Sequence, residues 1–143
     1  MRDGIVLPLL AASLLTAGPA AAQLQLRDGR VCHDLVVVGE VKAYGEFLSY
    51  YEMDPTPDET ALYVGGRRQM TVRVERVLDG RPLPRMIEVR ALMASAYRLP
   101  VTMVLYLQRE ARGTYWAADW TVVKPDSRGR VATPDRPPPR CER

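Results

Sequence analysis

The sequence predicts a mainly β protein, a small five-stranded antiparallel barrel with at most one short helix and a proline-rich C-terminal tail. Apolar and polar residues alternate over 70–78, 87–91 and 101–107, the period of strands buried on one face. Asp79-Gly80, Pro82, Pro84 and Gly113 punctuate the alternating runs, as turns between strands require. Hydrophobic residues make up 47% of the chain, enough for a globular core rather than a disordered segment. Five main strands suit the partly open barrel of the oligonucleotide/oligosaccharide-binding (OB) type, whereas a lipocalin-like barrel needs eight.

Residues 1–22 read as a secretory signal peptide. Arg2 supplies the charge, 5–17 is an apolar core broken by Pro8, Ser13 and Thr16, and Ala20-Ala21-Ala22 precedes cleavage before Gln23. The core is too short to span a bilayer comfortably. The mature chain is therefore expected to be exported, periplasmic or secreted, and soluble, with no membrane span. An N-terminal segment, 23–34, leads into the barrel domain, 35–123, and the tail occupies 124–143.

Leu35-Val36-Val37-Val38 opens the first strand, and Gly39 within it marks a bulge or bend. Tyr44, Phe47, Leu48, Tyr50 and Tyr51 prolong it as a curved strand. Pro55 and Pro57 among acids make 53–60 a loop. In the next strand Met70, Val72 and Val74 face inward, and the alternation slips at Arg76 so that Val77 turns in, the pattern of a bulge. Ile87, Val89 and Ala91 form the inner face of a third strand; 91–98 is the one stretch that reads as a short helix, stopped by Pro100. Val101, Met103, Leu105 and Leu107 point inward from a fourth strand, and Trp116, Ala118, Trp120 and Val122 share a face of the fifth, 114–123. Five prolines and six basic residues then set 124–143 apart as a tail.

Cys32 and Cys141 are the two cysteines. In an exported chain an even count reads as a disulfide framework. Joining them closes a loop of about 110 residues, worth roughly 4–5 kcal/mol in the chain-entropy model, and ties the far end of the tail to the domain.

The string from Cys32 through Leu35-Val36-Val37-Val38-Gly39-Glu40-Val41, followed by 71–80 with Val72, Val74, Val77 and Gly80, resembles the netrin-type module, also found in tissue inhibitors of metalloproteinases. Val104-Leu105-Tyr106-Leu107 matches a further apolar strand of that module. The resemblance covers roughly residues 32–110 and implies an OB-like barrel. Those inhibitors chelate zinc through a cysteine at the mature N-terminus. Here Gln23 is expected first and Cys32 lies further in, so the fold carries over and the inhibitory activity does not.

His33 is the single histidine. It points to the opposite side of an extended chain from Cys32, which makes a poor nucleophile–base pair, and it reads as an ordinary residue beside the disulfide. No metal-ligand spacing, Gly-x-Ser-x-Gly elbow or phosphate-cradling glycine loop is present in the sequence. No cofactor or metal is expected. Glu46, Glu52, Asp54, Asp58 and Glu59 cluster in a stretch free of basic residues; they read as a solvated loop, with cation binding or acid–base chemistry on a sugar as the sharper alternatives. Between Arg67 and Arg90 seven arginines meet three acids.

Arg67, Arg68, Arg73, Arg76 and Arg90, with Tyr50 and Tyr51, are the candidate binding surface for a protein or an anionic polymer. Export makes nucleic acid an unexpected partner. The function expected is thus a non-enzymatic exported binding or accessory module. The alternative is a small exported hydrolase or lyase using carboxylates and tyrosines in a barrel cleft.

Overall fold

A computed structural model describes residues 24–49, 65–110, 113–123, 128 and 136–142. The expected signal peptide, Tyr50, Tyr51 and the acids Glu52, Asp54, Asp58 and Glu59 lie outside the described residues. The described elements are β1 (Leu26–Arg27), β2 (Arg30–Val31), β3 (Leu35–Ser49), β4 (Gly66–Asp79), β5 (Met86–Met93), β6 (Val101–Arg109) and β7 (Thr114–Val122).

β3 to β7 close into a barrel in the order β3-β4-β5-β7-β6, with β6 returning to β3. This is a five-stranded barrel of the OB type. Its one departure from the expected antiparallel sheet is the β5–β7 pair, which is parallel over Glu88–Arg90 and Thr114–Trp116. The reason is parity: a closed ring with an odd number of strands cannot alternate in direction all the way round, so at least one neighbouring pair must run the same way. Here β6 intervenes in the chain between β5 and β7, and two reversals bring β7 back in the direction of β5.

The interior is filled by the inward positions of all five strands. Val37, Val41, Met70, Val72, Val89, Ala91, Met103, Leu105 and Leu107 are each fully excluded from solvent. Gly39 lies in close contact with β4: a β-carbon there would collide with Val72 Cγ1 and stand 3.2 Å from the Arg73 carbonyl oxygen. The register between the two strands shifts between Val38 and Gly39, leaving Glu75 as the extra residue beside Arg76. The bulge expected from the slipped alternation is there, and Val77 packs against the core.

Two local expectations are corrected. Residues 91–98 form no helix; β5 runs on to Met93, because Ala91 and Met93 continue the inward alternation and Gly66, Arg67 and Arg68 pair with 91–93. Cross-strand pairing overrides the modest helix preference of alanine and leucine. In β7 the inward residues are Tyr115 and Ala117, then Trp120 and Val122. Tyr106 pairs with Asp119 but Leu107 with Ala117, so Ala118 is an extra residue that inverts the alternation. Trp116 consequently lies on the outer face beside Gln108 and Arg90, while Trp120 packs against the core and meets Tyr97 edge-on at 5.5 Å.

Outside the barrel, β1 and β2 form a small hairpin across Asp28-Gly29, both at positive φ, the conformation that Asp-Gly favours in two-residue hairpin loops. The hairpin is followed by Cys32, which is disulfide-bonded to Cys141 with 4.9 Å between α-carbons. The end of the tail lies alongside this segment. His33 N donates to the Pro139 carbonyl and Cys141 N to the His33 carbonyl, each at 2.9 Å.

Gln108 is the buried polar hinge between barrel and N-terminal segment. Its Nε2 donates to the carbonyls of Cys32 (2.9 Å) and Gln25 (3.0 Å), and its Oε1 accepts from Gln25 N at 2.7 Å. Gln108→Ala would take this partner from the Gln25 N–H and the Cys32 carbonyl, while the Gln25 carbonyl keeps Cys32 N at 3.3 Å, at about 1–3 kcal/mol for each group left unpaired and buried. The variant is expected to unfold at lower urea concentration and to show faster amide exchange at Gln25. Unchanged exchange there would contradict the assignment.

Candidate binding surface

The arginines singled out in the sequence divide between two faces because β4 alternates. Arg67 and Arg73 share the parity of Gln69 and Thr71, on the outside, whereas Arg68 shares the inward parity of Met70 and Val72. Arg68 is placed at the end of the barrel, its guanidinium 4.4 Å from the Phe47 ring centre and 5.4 Å from that of Tyr44. Its Nε is buried and without a hydrogen-bond partner among the described residues. Arg76, next to the bulged Glu75, is exposed.

Arg67, Arg73 and Arg90 all have carboxylate neighbours. Arg73 Nη2 lies 3.1 Å from Glu40 and 3.6 Å from Glu75; Arg90 is 3.8 Å from Glu110 and Arg67 4.0 Å from Glu46. Between them Glu88 accepts hydrogen bonds from Gln69 (3.1 Å) and Thr71 (2.9 Å). Lys42, hydrogen-bonded to Glu40 at 2.6 Å, lowers the Glu40 pKa; burial opposes it less strongly, and the charge of Arg73 adds a smaller lowering. The outer face of β3, β4 and β5 thus carries positive and negative groups in near balance. Half-exposed pairs of this kind add little to stability, but they define a fixed charge pattern.

A concave feature lies at the sheet end opposite Arg68, where the chain enters β3 and leaves β4 and β6. A cleft of about 610 Å³ is lined there by His33, Asp34, Asp79, Arg81, Arg109 and Arg140, with Leu35 and Leu83 as its apolar part. The disulfide closes one wall through Cys141. Gly80 turns the chain at φ 109°, and a side chain at this position would collide with Leu35. Arg140 donates to Asp79, so the tail is pinned to the β4–β5 turn as well as to His33. His33 itself is buried, its ring edge-on to Tyr106 at 5.2 Å. Burial lowers its pKa, outweighing the carbonyls of Pro139 and Pro138, which favour the protonated ring.

None of these cleft residues is visible as a group in the sequence, since they come from four separated segments. The one available signal was the cysteine pair: a bond from Cys32 to Cys141 necessarily brings His33 and Arg140 together. Among the described residues no set of three or more histidine, cysteine or carboxylate side chains is grouped so as to hold a metal ion. No protein-family model, no curated protein and no solved structure matches the chain.

Proposed function

We propose that this protein is an exported, non-enzymatic binding module that recognises another protein through the outer face of β4 and β5. The observation that carries this reading is the charge pattern of that face. A uniformly negative polymer approaching Arg67, Arg73 and Arg90 also meets Glu40, Glu46, Glu88 and Glu110. Like-charge contacts oppose it there, whereas a protein surface with a complementary mosaic satisfies both signs. The disulfide supports an oxidising compartment, and kinship with netrin-type modules belongs to the same reading.

Two measurements test it. Intact mass of the exported protein is expected to correspond to a chain starting at Gln23 and lighter by two hydrogens than its reduced form. An uncleaved chain with free thiols would remove the compartment argument. A photo-crosslinking residue at Gln69 in the native host is expected to yield a discrete protein adduct that Arg67→Glu with Arg73→Glu abolishes. If the double reversal leaves the adduct intact, or if the wild-type protein is instead retained by a polyanion column at physiological salt, the assignment fails.

A further inference from the structure

The cleft at the disulfide-closed end is separate from the outer β4–β5 face, and its chemistry points to a different ligand. Of its three cations, Arg140 is engaged by Asp79. Arg81 has no ion pair among the described residues, and the Arg109 guanidinium lies only over the Tyr115 ring, at 6.0 Å. Both are exposed. Against them stands one carboxylate without an ion pair among the described residues, Asp34. The floor is apolar, with Leu35 buried and Leu83 partly so. His33, buried, lines the same cleft, and its Nδ1 has no hydrogen-bond partner among the described residues. A buried imidazole nitrogen without a partner is costly.

We propose that this cleft binds a small amphipathic carboxylate, its anionic group held by Arg81 and Arg109 and its apolar body resting on Leu35 and Leu83. Guanidinium groups match carboxylates in charge and in planar donor geometry, and about 610 Å³ lies in the range of small-molecule sites. The single negative charge matters. With Asp34 and Asp79 in the lining, a polyanion would meet repulsion that a monoanion with an apolar body avoids. Cys141 and Arg140 form the wall, so the site exists as drawn only while the tail is held by the disulfide and by the His33 backbone.

His33 makes the test direct, because the chain contains one histidine and its ring resonances need no assignment. N-acetyl-leucine and its uncharged analogue N-acetyl-leucinamide would be titrated into the oxidised mature protein while the His33 ring signals are followed by NMR. The carboxylate is expected to shift them saturably and to bind about tenfold more tightly than the amide, the difference of a charge-assisted hydrogen bond. Arg81→Gln and Arg109→Gln, both at exposed positions, are each expected to weaken the carboxylate severalfold and leave the amide unaffected, Arg109→Gln also giving up the contact over the Tyr115 ring. No saturable shift, equal binding of acid and amide, or indifference to both substitutions would overturn the proposal. None of these results bears on the crosslinking at Gln69, so the two sites stand or fall separately.

Discussion

Replacing Cys32 and Cys141 together by serine is expected to lower the unfolding free energy by about 2–5 kcal/mol. The bond spans 109 residues, so its loss restores the conformational freedom of the whole stretch from Cys32 to Cys141 in the unfolded state. In the folded state the same bond anchors contacts that are individually modest. These are the two backbone hydrogen bonds between His33 and the tail, the Arg27 donation to the Arg140 carbonyl at 3.0 Å, and the Arg140 contact with Asp79. The two side-chain contacts are exposed, and without the covalent link the four must offset the entropy of ordering a proline-rich segment by themselves. Urea unfolding of the double variant should show a lower midpoint, and hydrogen exchange should show the Cys141 amide losing protection before the barrel strands do. A midpoint equal to that of the oxidised parent would mean the tail is held by something other than the disulfide.

Leu105→Ala is expected to cost a similar amount, about 2–5 kcal/mol, by a different mechanism. Leu105 is fully buried at the middle of β6, where its neighbours across the sheet are Val37 on β3 and Trp120 on β7. Truncation removes the transfer free energy of the lost methyl groups and leaves a cavity. A closed barrel has little freedom to collapse around that cavity, because each strand is tied on both sides. The ribbon itself should survive: far-UV circular dichroism should match the parent at low denaturant, with the urea midpoint displaced. Since small domains hold roughly 5–15 kcal/mol in all, this one change removes a large share. A loss below about 1 kcal/mol would place Leu105 outside the barrel interior.

Much of the architecture was legible because a strand with one buried face writes its period into the sequence. Met70, Val72 and Val74, then Ile87, Val89 and Ala91, then Met103, Leu105 and Leu107 declare their inner faces without reference to any partner. The slip at Arg76 was readable for the same reason. Where the signal failed, an element depended on its neighbour. Trp116 and Trp120 have the spacing of one face, yet Ala118 bulges against β6 and puts them on opposite sides. The Asp28-Gly29 hairpin carries a local turn signal, but its two short strands have no apolar run to mark them.

By itself, the sequence determined a β protein, the core faces of β4, β5 and β6, the cysteines available to close it and an arginine-rich second strand. Tertiary structure alone decided what those arginines face. Ion pairing of Arg67, Arg73 and Arg90 with Glu46, Glu40 and Glu110 depends on register and on strand ends, which span long separations in the chain. The parallel β5–β7 pair follows from closing an odd ring, and the cleft follows from where that ring, its β4–β5 turn and the disulfide-held tail converge. Periodicity reports the face a residue occupies, because that is a local property. It is silent on what lies opposite, because that is settled only when distant segments meet.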